Sequence, residues 1–384
     1  MRDWLHISAS DFIEFNPRLS IKKGALATKV AMDKLQPFTK KIPETEQAEY
    51  AGGAKFCNGD TIMARITPCL ENGKTAFVDV LADGEAAFGS TEFIVMRARP
   101  GVSDPQFVYY LATSPVFRNV AIKSMVGSSG RQRVQQGVLD ELNLLVPSLE
   151  EQKKIGAFLA ALDQKIALNS KINDNLQQQA SALYDEYFPY AVTDELPAGW
   201  RVGTVGEVVE IHDSKRIPLS GAQRAKMEKR IYPYYGAASL MDYVDEYIFD
   251  GKYLLLGEDG TVVDDAGYPI LQYVWGQFWV NNHAHILTGK LGFNVESLLL
   301  LFKRTPVKSI VTGAVQPKIS QANLRSIQVV VPPQCELDTF NELIRPLFDQ
   351  IRQNQDQNKA LAAMRDALLP KLMSGEVDVT AIQI

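Results

Sequence analysis

Cysteines are scarce in this sequence, and apolar runs long enough to cross a membrane are missing. Cys57, Cys69 and Cys335 are the only cysteines among 384 residues, which is too few for a disulfide framework and typical of a protein kept in a reducing cytoplasm. No apolar run approaches the roughly 20 residues of a membrane-spanning helix, and the first residues, MRDWLH, lack the apolar core of a secretory signal. We therefore expect a cytoplasmic protein with no membrane partner.

A large excess of positive charge is also missing. Lysines and arginines total 40 against 45 aspartates and glutamates, which gives a formal net charge of −5. This balance excludes a protein that is basic over its whole surface, although a locally basic cleft is compatible with it. Hydrophobic residues make up 46% of the chain, as in globular proteins, and its length suits two or three domains of roughly 100–200 residues.

Catalytic and metal-binding motifs are the third absence. Residues 72–75, NGKT, look like the end of a phosphate-binding loop, but Pro68 stands where that loop needs its first glycine. The DPP or NPP motif of adenine methyltransferases, with its following aromatic residue, does not occur. His283 and His285 could bind a metal from one strand, yet no third ligand is near them in sequence, so we expect residues on an exposed strand face instead. The sequence thus predicts no catalytic residues and no metal site.

What the sequence does contain is an internal repeat. Residues 134–183 align without a gap to residues 319–368, so that every aligned pair is separated by the same offset. Within this alignment Pro147 corresponds to Pro332, and apolar positions correspond to apolar positions. A repeat with a fixed period predicts two copies of one structural unit. Each copy is a variable globular region followed by a long, polar-rich helix.

Each repeated helix carries a heptad pattern. Core positions alternate at spacings of four and three, which is typical of a coiled coil. Asparagines fill two adjacent core layers near the middle of each helix, and such residues fix register at a cost in stability. They are Asn169 and Asn173 in the first copy and Asn354 and Asn358 in the second. We predict an antiparallel pair with Asn169 near Asn358 and Asn173 near Asn354; the alternatives are a parallel pair and asparagines at a solvated edge.

The regions outside these helices are rich in predicted strands. Residues 59–65, 92–96, 252–256 and 327–331 have the composition of strands, and residues 106–112 and 294–301 that of short helices. The predicted fold class is α+β, with two strand-rich α/β domains, a pair of long helices forming an antiparallel coiled coil, and an internal pseudo-two-fold repeat. The expected segments are a first domain at 1–149, a first helix at 150–189, a second domain at 196–333 and a second helix at 334–376.

Several motifs resemble those of the DNA-specificity subunits of type I restriction–modification systems. They are LPAGW at 196–200, GAVQPKI at 313–319, VPSLEEQ at 146–152, KLMSGEV at 371–377, NGDT at 58–61 and ITPCLENGK at 66–74. The resemblance covers essentially the whole chain. One departure is PPQCE at 332–336, which replaces the family's run of proline, acidic residues and glutamine at the entry to the second helix.

The resemblance implies a non-enzymatic subunit that binds double-stranded DNA through two target-recognition domains, with the long helices as spacers. Its implied partners are two modification subunits, which bind S-adenosylmethionine and methylate adenine N6, and restriction subunits that translocate DNA with ATP and Mg²⁺. No cofactor is expected on this chain. Because the two domains differ in sequence, the expected target is asymmetric and bipartite, whereas a palindrome would need identical domains.

Two other functions are compatible with the residues. One is a free-standing DNA-binding or scaffold protein without modification partners. The other is a methyltransferase whose motifs are unrecognised. Binding of S-adenosylmethionine by the purified chain alone would favour the methyltransferase, whereas binding only in a complex favours the specificity subunit.

Candidate DNA contacts come from residue types that read base edges or hold phosphates. The run GSSGRQR at 127–133 is the strongest candidate, because it is basic, bounded by glycine and placed at the repeat position of residues 313–318. In the first domain the candidates are Lys22, Lys23, Arg65, Lys74, Ser90, Thr91, Ser129, Arg131 and Arg133. In the second domain they are Lys215, Arg216, Tyr234, Tyr235, Asp259, His283, Gln316 and Lys318.

Overall fold

The computed structural model describes residues 4–313 and 315–379, so that Ala314 of the GAVQPKI motif lies outside the described residues. The chain forms two compact units: Met1–Ser170 with Gln355–Ile384, and Lys171–Asn354. We call these the first unit and the second unit. Their boundaries fall inside the two long helices, because each half of each helix joins the core of one globular region.

The first unit contains many short elements. In chain order they are β1 (Leu5–Ser8), α1 (Ala9–Phe12), β2 (Ile13–Phe15), β3 (Leu26–Val30), β4 (Glu46–Glu49), β5 (Lys55–Phe56), β6 (Thr61–Ala64), β7 (Thr75–Phe77), β8 (Ala87–Gly89), β9 (Phe93–Ala98), α2 (Pro105–Thr113), α3 (Pro115–Lys123), α4 (Gln136–Asp140), β10 (Asn143–Val146) and the start of α5 (Leu149–Tyr187).

Helix α2 begins where local chemistry requires it. The Asp104 side chain accepts a hydrogen bond from the Phe107 N–H, and Pro105 occupies a first-turn position that needs no N–H donor.

Two four-stranded sheets form the body of the first unit. One has the order β2-β9-β6-β7 and the other the order β4-β3-β8-β5, while β1 and β10 pair separately. In the first sheet Ile62 of β6 lies opposite Val95 of β9 in an antiparallel register. Helix α2 packs against this sheet, and α5 adds its apolar residues to the same core, with Phe107 and Leu159 almost fully buried. Burial of this apolar surface is the main force that holds the layers together.

The second unit repeats this plan with longer strands. Its elements are the end of α5, β11 (Arg201–Thr204), α6 (Val205–Val208), β12 (Val209–Ile211), α7 (Gly221–Ala225), β13 (Tyr232–Tyr235), β14 (Leu240–Val244), β15 (Phe249–Gly257), β16 (Leu271–Val280), β17 (Ala284–Gly289), α8 (Val295–Phe302), α9 (Gln321–Ser326), β18 (Gln328–Val331) and the start of α10 (Gln334–Met373). Within the described residues, the two strand-rich domains and long helices of the predicted α+β fold are confirmed.

Strand continuity distinguishes the two units. In the second unit the order β12-β17-β15-β16-β13-β14 makes one six-stranded sheet, because β15 and β16 pair along their whole length. In the first unit the equivalent strands are interrupted: β5 and β6 replace β15, and β7 and β8 replace β16. The interruption divides the sheet of the first unit into two, although both units keep the parallel pairing of β3 with β8 and of β13 with β16.

In the first unit α5 and α10 run antiparallel around a buried asparagine layer. The Asn169 side-chain amide donates to Asn358 Oδ1 at 2.9 Å and to Gln357 Oε1 at 2.7 Å. Asn358 Nδ2 donates in turn to the Ile166 carbonyl at 3.3 Å. Asn169 is only 1% exposed, so the predicted antiparallel pairing is confirmed here and the solvated-edge alternative is wrong.

The second unit has its own asparagine layer on the other halves of the same helices. Asn354 Nδ2 donates to Asn173 Oδ1 at 2.8 Å, and Asn173 Nδ2 donates to the Ile351 carbonyl at 3.2 Å. Both asparagines are buried. A buried amide is tolerated when it has partners, and these bonds specify one register because a shifted helix would leave the amides unpaired.

Each unit also buries a charged group where a long helix meets the globular region. In the first unit Asp163 of α5 accepts from the Tyr110 hydroxyl at 2.5 Å and from Arg365 Nη1 at 2.6 Å. Lys40 Nζ donates to the Tyr110 hydroxyl oxygen at 3.1 Å and contacts the rings of neighbouring aromatic residues. We call Lys40, Tyr110, Asp163 and Arg365 the first-unit charge cluster.

A second arrangement of the same chemistry lies in the second unit. Glu296 Oε1 accepts from the Tyr273 hydroxyl and from Lys252 Nζ, both at 2.6 Å, and from Arg352 Nη1 at 2.9 Å. Burial raises the pKa of Tyr273, and the neighbouring Glu296 carboxylate raises it further. The tyrosine therefore keeps its proton and remains a donor to the carboxylate. In both units a buried acid thus joins a tyrosine of the globular region to an arginine of α10.

Lys40 gives stability an unusual pH dependence. Burial lowers its pKa from 10.5 to about 8. Between these two values the unfolded chain holds a proton that the folded chain has released, so the contribution of Lys40 to stability rises with pH. From pH 7.5 to 9.5 we expect the free energy of unfolding of the first unit to rise by about 1–2 kcal/mol in wild type relative to Lys40→Met. Urea unfolding of both proteins, followed in first-unit peptides by pulsed hydrogen exchange, tests it; parallel curves would contradict it.

None of the helices in the described part of the chain combines the length and apolarity that a membrane crossing requires.

Candidate nucleic-acid interface

In the first unit, the ends of neighbouring strands meet at one edge of the sheet. β6 ends at Ala64, which lies opposite Phe93, the first residue of β9. Arg65 and Glu92 therefore lie side by side just beyond the paired strands, and the Arg65 N–H donates to the Glu92 carbonyl at 2.9 Å. This edge places charged side chains of the first unit next to one another.

The second unit has an equivalent edge. β15 ends at Gly257, opposite Ala284, the first residue of β17. The N–H of Glu258 donates to the His283 carbonyl at 2.8 Å, which is the same backbone bond that joins Arg65 to Glu92. Glu258 and His283 therefore occupy the positions of Arg65 and Glu92, with different chemistry.

An exposed loop rises beside each edge. In the first unit Arg133 pairs with Val126 and Ile66 across short antiparallel bridges, and the loop 127–132 lies between the paired residues. In the second unit Lys318 pairs with Thr312 and Asp259. Arg133 and Lys318 are separated by the same offset as the aligned repeats, so the predicted correspondence of these two runs holds in three dimensions.

Glycine is required at the start of both loops. Gly127 and Gly313 have φ angles of 135° and 89°, values that side-chain-bearing residues rarely adopt. A Cβ atom at Gly127 would lie 3.0 Å from the Arg131 carbonyl oxygen, and one at Gly313 would lie 2.3 Å from that of Gln316. The glycines thus allow the chain to turn tightly back onto the bridge.

In the first unit the edge is dominated by an ion pair. Arg133 Nε donates to both carboxylate oxygens of Glu92 at 3.0 Å, and Arg133 Nη2 donates to Oε1 at 2.7 Å. Arg65 Nη2 donates to the Val134 carbonyl at 3.2 Å. The Arg133 side chain is 49% exposed, so this guanidinium is held by protein on one side and open on the other.

In the second unit the edge carries a denser network around Glu258. Arg216 Nη1 donates to Glu258 Oε2 at 2.5 Å and to the Ala284 carbonyl at 2.8 Å. Lys318 Nζ lies 3.1 Å from Glu258 Oε1. Burial alone would raise the pKa of Glu258, but the hydrogen bond from Arg216 and the nearby His285 outweigh burial and lower it. Glu258 is therefore a carboxylate that anchors two basic side chains.

His285 lies below this edge and is fully buried, so the expectation of an exposed strand residue is wrong for it. Its Nε2 lies 2.8 Å from the Ile319 carbonyl, and its Nδ1 lies 2.6 Å from Asp213 Oδ2. Each ring nitrogen therefore lies within hydrogen-bond distance of an oxygen of the protein. Burial would raise the pKa of Asp213, but the bonds from His285 and from the Ile286 N–H lower it.

Asp213, Glu258 and His285 offer three ligand atoms that lie within 4.8 Å of one another. Arg216 contacts both carboxylates, Gln321 donates to Asp213 at 2.6 Å, and both nitrogens of His285 are used. A metal ion would have to displace these bonds. The group is therefore best described as an ion-pair network that fixes the strand ends.

The remaining candidates divide by exposure and contacts. Asp259 pairs with the Nδ1 atom of His283, whose side chain is 43% exposed. The Ser90 hydroxyl accepts from the Glu92 N–H at 3.1 Å and so supports the first-unit edge. Exposed positions are held by Lys22, Lys23, Thr91, Ser129, Arg131, Lys215 and Gln316.

Three candidates have other roles in the fold. Tyr234 is 1% exposed, and its hydroxyl accepts a hydrogen bond from the Leu219 N–H at 3.1 Å. It belongs to the core, and its prediction as a DNA contact is wrong because the ring has no accessible face. Tyr235 packs edge-on against the ring of Phe278. Lys74 Nζ donates to the Met32 carbonyl at 2.9 Å, so this side chain is bonded to a segment other than the Arg65–Glu92 edge.

The acidic residues of both edges were missed by sequence reasoning. Glu92, Glu258 and Asp213 organise the basic side chains, yet they are 41, 42 and 72 positions from Arg133, Arg216 and His285, respectively. Only the contact of Asp213 with Arg216 is local in sequence. No local pattern marks them. The repeat aligns Arg133 with Lys318 but does not align Glu92 with Glu258, so only the tertiary structure brings these acids to the two edges.

Two copies of one domain, each with an exposed loop beside a charged strand edge, define a duplicated recognition protein. The family model described as the type I restriction modification DNA specificity domain matches residues 2–178 and 197–361. The chain belongs to this family. The match includes both units, in keeping with the internal repeat.

Individual relatives agree with this family. The type I restriction enzyme MjaIX specificity subunit of Methanocaldococcus jannaschii is 25% identical over 306 residues, 71% of this chain and 69% of that subunit. The HindI specificity subunit of Haemophilus influenzae is 32% identical over 134 residues, which span 34% of this chain and 28% of that subunit. The crystal structure of a type I restriction–modification S subunit from M. genitalium shares the fold, with 18% identity, a TM-score of 0.53 and coverage of 97% and 96% of the two chains.

Proposed function

We propose that this chain is the non-catalytic DNA-specificity subunit of a type I restriction–modification complex and reads an asymmetric, bipartite site in double-stranded DNA. The observation that carries the proposal is the repeated edge. Each unit presents a glycine-bounded loop and a basic residue held by an acid, but the pair is Arg133 with Glu92 in the first unit and Lys318 with Glu258 in the second. Different side chains at equivalent positions support two different half-sites.

Methylation mapping tests this proposal. The chain is expressed together with its modification subunits in a host that lacks adenine methylation, and the genome is then sequenced for N6-methyladenine. We expect one motif with two unlike halves, separated by a stretch of unspecified sequence and constant length, because each unit reads its own half. The modification subunits without the chain should give no methylation. A palindromic motif, or methylation without the chain, would contradict the proposal.

We also propose that two modification subunits bind each chain. Both units leave large apolar side chains exposed on the long helices: Leu168 and Met364 in the first, Ile172 and Leu343 in the second, each at least 37% exposed. These side chains are open to a partner, and the contact would remove their apolar surface from water. Phe158, which the heptad pattern also places outside the seam, is buried in the first core and is not available.

Native mass measurement of the purified complex tests the stoichiometry. At saturating modification subunit we expect two copies per chain, because each unit offers a comparable helix surface. Replacing Leu168 with a charged residue, as in Leu168→Glu, should lower occupancy to one copy, since only the first unit is altered. A stable one-to-one complex of the wild-type chain would contradict the prediction.

Cofactors are assigned to the partners in this proposal. S-adenosylmethionine would bind the modification subunits, and ATP and Mg²⁺ the restriction subunits, all in the cytoplasm. Calorimetry with the purified chain should therefore show no binding of S-adenosylmethionine, whereas the complex should bind it. Binding by the chain alone would instead favour the methyltransferase alternative, and sequence-specific DNA binding without any modification partner would favour a free-standing protein.

A further inference from the structure

We propose that Arg133 reads a guanine in the half-site of the first unit, and that Glu92 is the positioning residue that holds its guanidinium for this contact. The inference rests on the proposed DNA-specificity function and adds the base and the residue pair that select it. Four observations lead to it: the fixed backbone of Arg133, the use of one guanidinium edge, the charge of Glu92 and the contrast with Lys318.

The backbone of Arg133 is held on both sides. Its N–H donates to the Val126 carbonyl at 2.9 Å, and its carbonyl accepts from the Val126 N–H at 3.0 Å. The neighbouring residue Val134 is buried and donates to the Arg65 carbonyl at 2.9 Å. Arg133 thus stands at the fixed foot of the loop, whereas Ser129 and Arg131 lie in its exposed part. A side chain that reads a base needs such a fixed origin.

Glu92 uses only one edge of the guanidinium. The Nε and Nη2 atoms donate to its carboxylate, while Nη1 donates no hydrogen bond within the described residues. The edge formed by Nη1 and the second hydrogen of Nη2 is therefore available. Because the guanidinium is planar and rigid, fixing one edge also fixes the direction of the other.

Glu92 is itself held in place. Its N–H donates to the Ser90 hydroxyl at 3.1 Å, its carbonyl accepts from the Arg65 N–H, and its side chain is 22% exposed. The carboxylate and the guanidinium therefore form one rigid pair at the strand edge. This is the support that a precise bidentate contact requires.

Guanine is the base that fits the free edge. In the major groove it presents two acceptors, N7 and O6, at the spacing of two parallel N–H donors, and arginine is their commonest partner. A phosphate contact fits less well, because the negative charge of Glu92 offsets the charge of Arg133 and repels a phosphate. Glu92 leaves the free N–H donors of Arg133 in place and weakens the electrostatic attraction of the guanidinium to phosphates. Both effects favour contact with a base.

The second unit has no arginine held by a glutamate at the equivalent position, which is occupied by Lys318. Lys318 occupies the place of Arg133 on the bridge, and its Nζ lies 3.1 Å from Glu258 Oε1. An ammonium is a point charge with rotating donors and cannot present a planar fork. The proposed guanine contact therefore belongs to one half-site only.

The test compares Arg133→Lys, Glu92→Gln and a control, Glu46→Gln, in the complete modification complex. Glu46 pairs with Lys29 in an exposed ion pair of the same unit, so this control removes an equal charge elsewhere. Methylation mapping with wild type should show a guanine in the first-unit half-site. Arg133→Lys should reduce the preference for that guanine by roughly 5- to 150-fold, Glu92→Gln should reduce it by a smaller factor, and Glu46→Gln should not change it.

The half-site of the second unit is an internal check in every experiment. If it stays intact while one guanine position becomes degenerate, Arg133→Lys has folded and the proposal is supported. A uniform fall in methylation with an unchanged motif would make Arg133 a phosphate contact and overturn guanine reading, and an unchanged motif and rate would remove Arg133 from the interface. Loss of the guanine in Arg133→Lys but not in Glu92→Gln would overturn the role of Glu92. Failure of the proposed function is distinct, because the wild-type complex would then give no sequence-specific methylation.

Discussion

Replacing Asp163 with alanine should lower the free energy of unfolding of the first unit by about 3 kcal/mol. Asp163 and Arg365 are 13% and 18% exposed as side chains, and they pair at 2.6 Å. Although burial lowers the pKa of Arg365, the hydrogen bond to Asp163 outweighs burial and raises it. Without the carboxylate, Arg365 keeps only its bond to Asp366, and the Tyr110 hydroxyl loses its acceptor. An unpaired charge at a mostly buried site costs several kcal/mol.

Hydrogen exchange measured by mass spectrometry is the appropriate readout, because a chain with two units is not expected to unfold in one step. Peptides from α2 and from the first half of α5 should lose protection in Asp163→Ala. Glu150→Gln on the same helix is the matched control, since the pair of Glu150 with Lys153 is exposed and exposed pairs contribute little. Equal protection in the two variants would show that the cluster does not stabilise the first unit.

Replacing Phe340 with alanine should destabilise the second unit by about 3–5 kcal/mol. Phe340 lies at the start of α10 and is fully buried. Its ring is 4.8 Å from that of Phe188 and 5.6 Å from those of Tyr184 and Tyr187, measured between centroids. Truncation removes these aromatic contacts and leaves a cavity that the rigid helices cannot close.

The matched control for Phe340 lies one helical turn away. Leu343→Ala changes a side chain that is 40% exposed, so it should change stability little. Hydrogen exchange in peptides from residues 171–354 should rise strongly in Phe340→Ala and hardly at all in Leu343→Ala. Similar exchange in the two variants would contradict the assignment of Phe340 as a core residue.

The candidate interface shows which DNA-contact residues can be predicted from residue type and position in sequence. Arg133 and Lys318 were found because the repeat aligns them, and the structure places both at the foot of an exposed loop. Tyr234 is a candidate DNA contact by sequence, yet it is buried. Residue type gives the chemistry a side chain can perform, but whether the side chain is accessible depends on which strands cover it.

The sequence by itself determined the duplication and the long helices, and it favoured the antiparallel pairing of those helices over the parallel alternative. These follow from spacing along one chain: the constant offset of the repeat, the heptad pattern and the asparagines at Asn169, Asn173, Asn354 and Asn358. A buried amide is costly without a partner, and in the observed arrangement each of these asparagines donates at least one side-chain hydrogen bond. The observed bonds are those of the antiparallel pair.

Only the tertiary structure decided the electrostatics of the two edges. Glu92 meets Arg133 across 41 positions, and Asp213 meets His285 across 72, because antiparallel strands bring distant segments to one side of a sheet. The same applies to the interruption of the first-unit strands, which turns one six-stranded plan into two four-stranded sheets. Periodicity reports which face of an element is apolar, whereas partners across a sheet are set by register, and register is a property of the assembled fold.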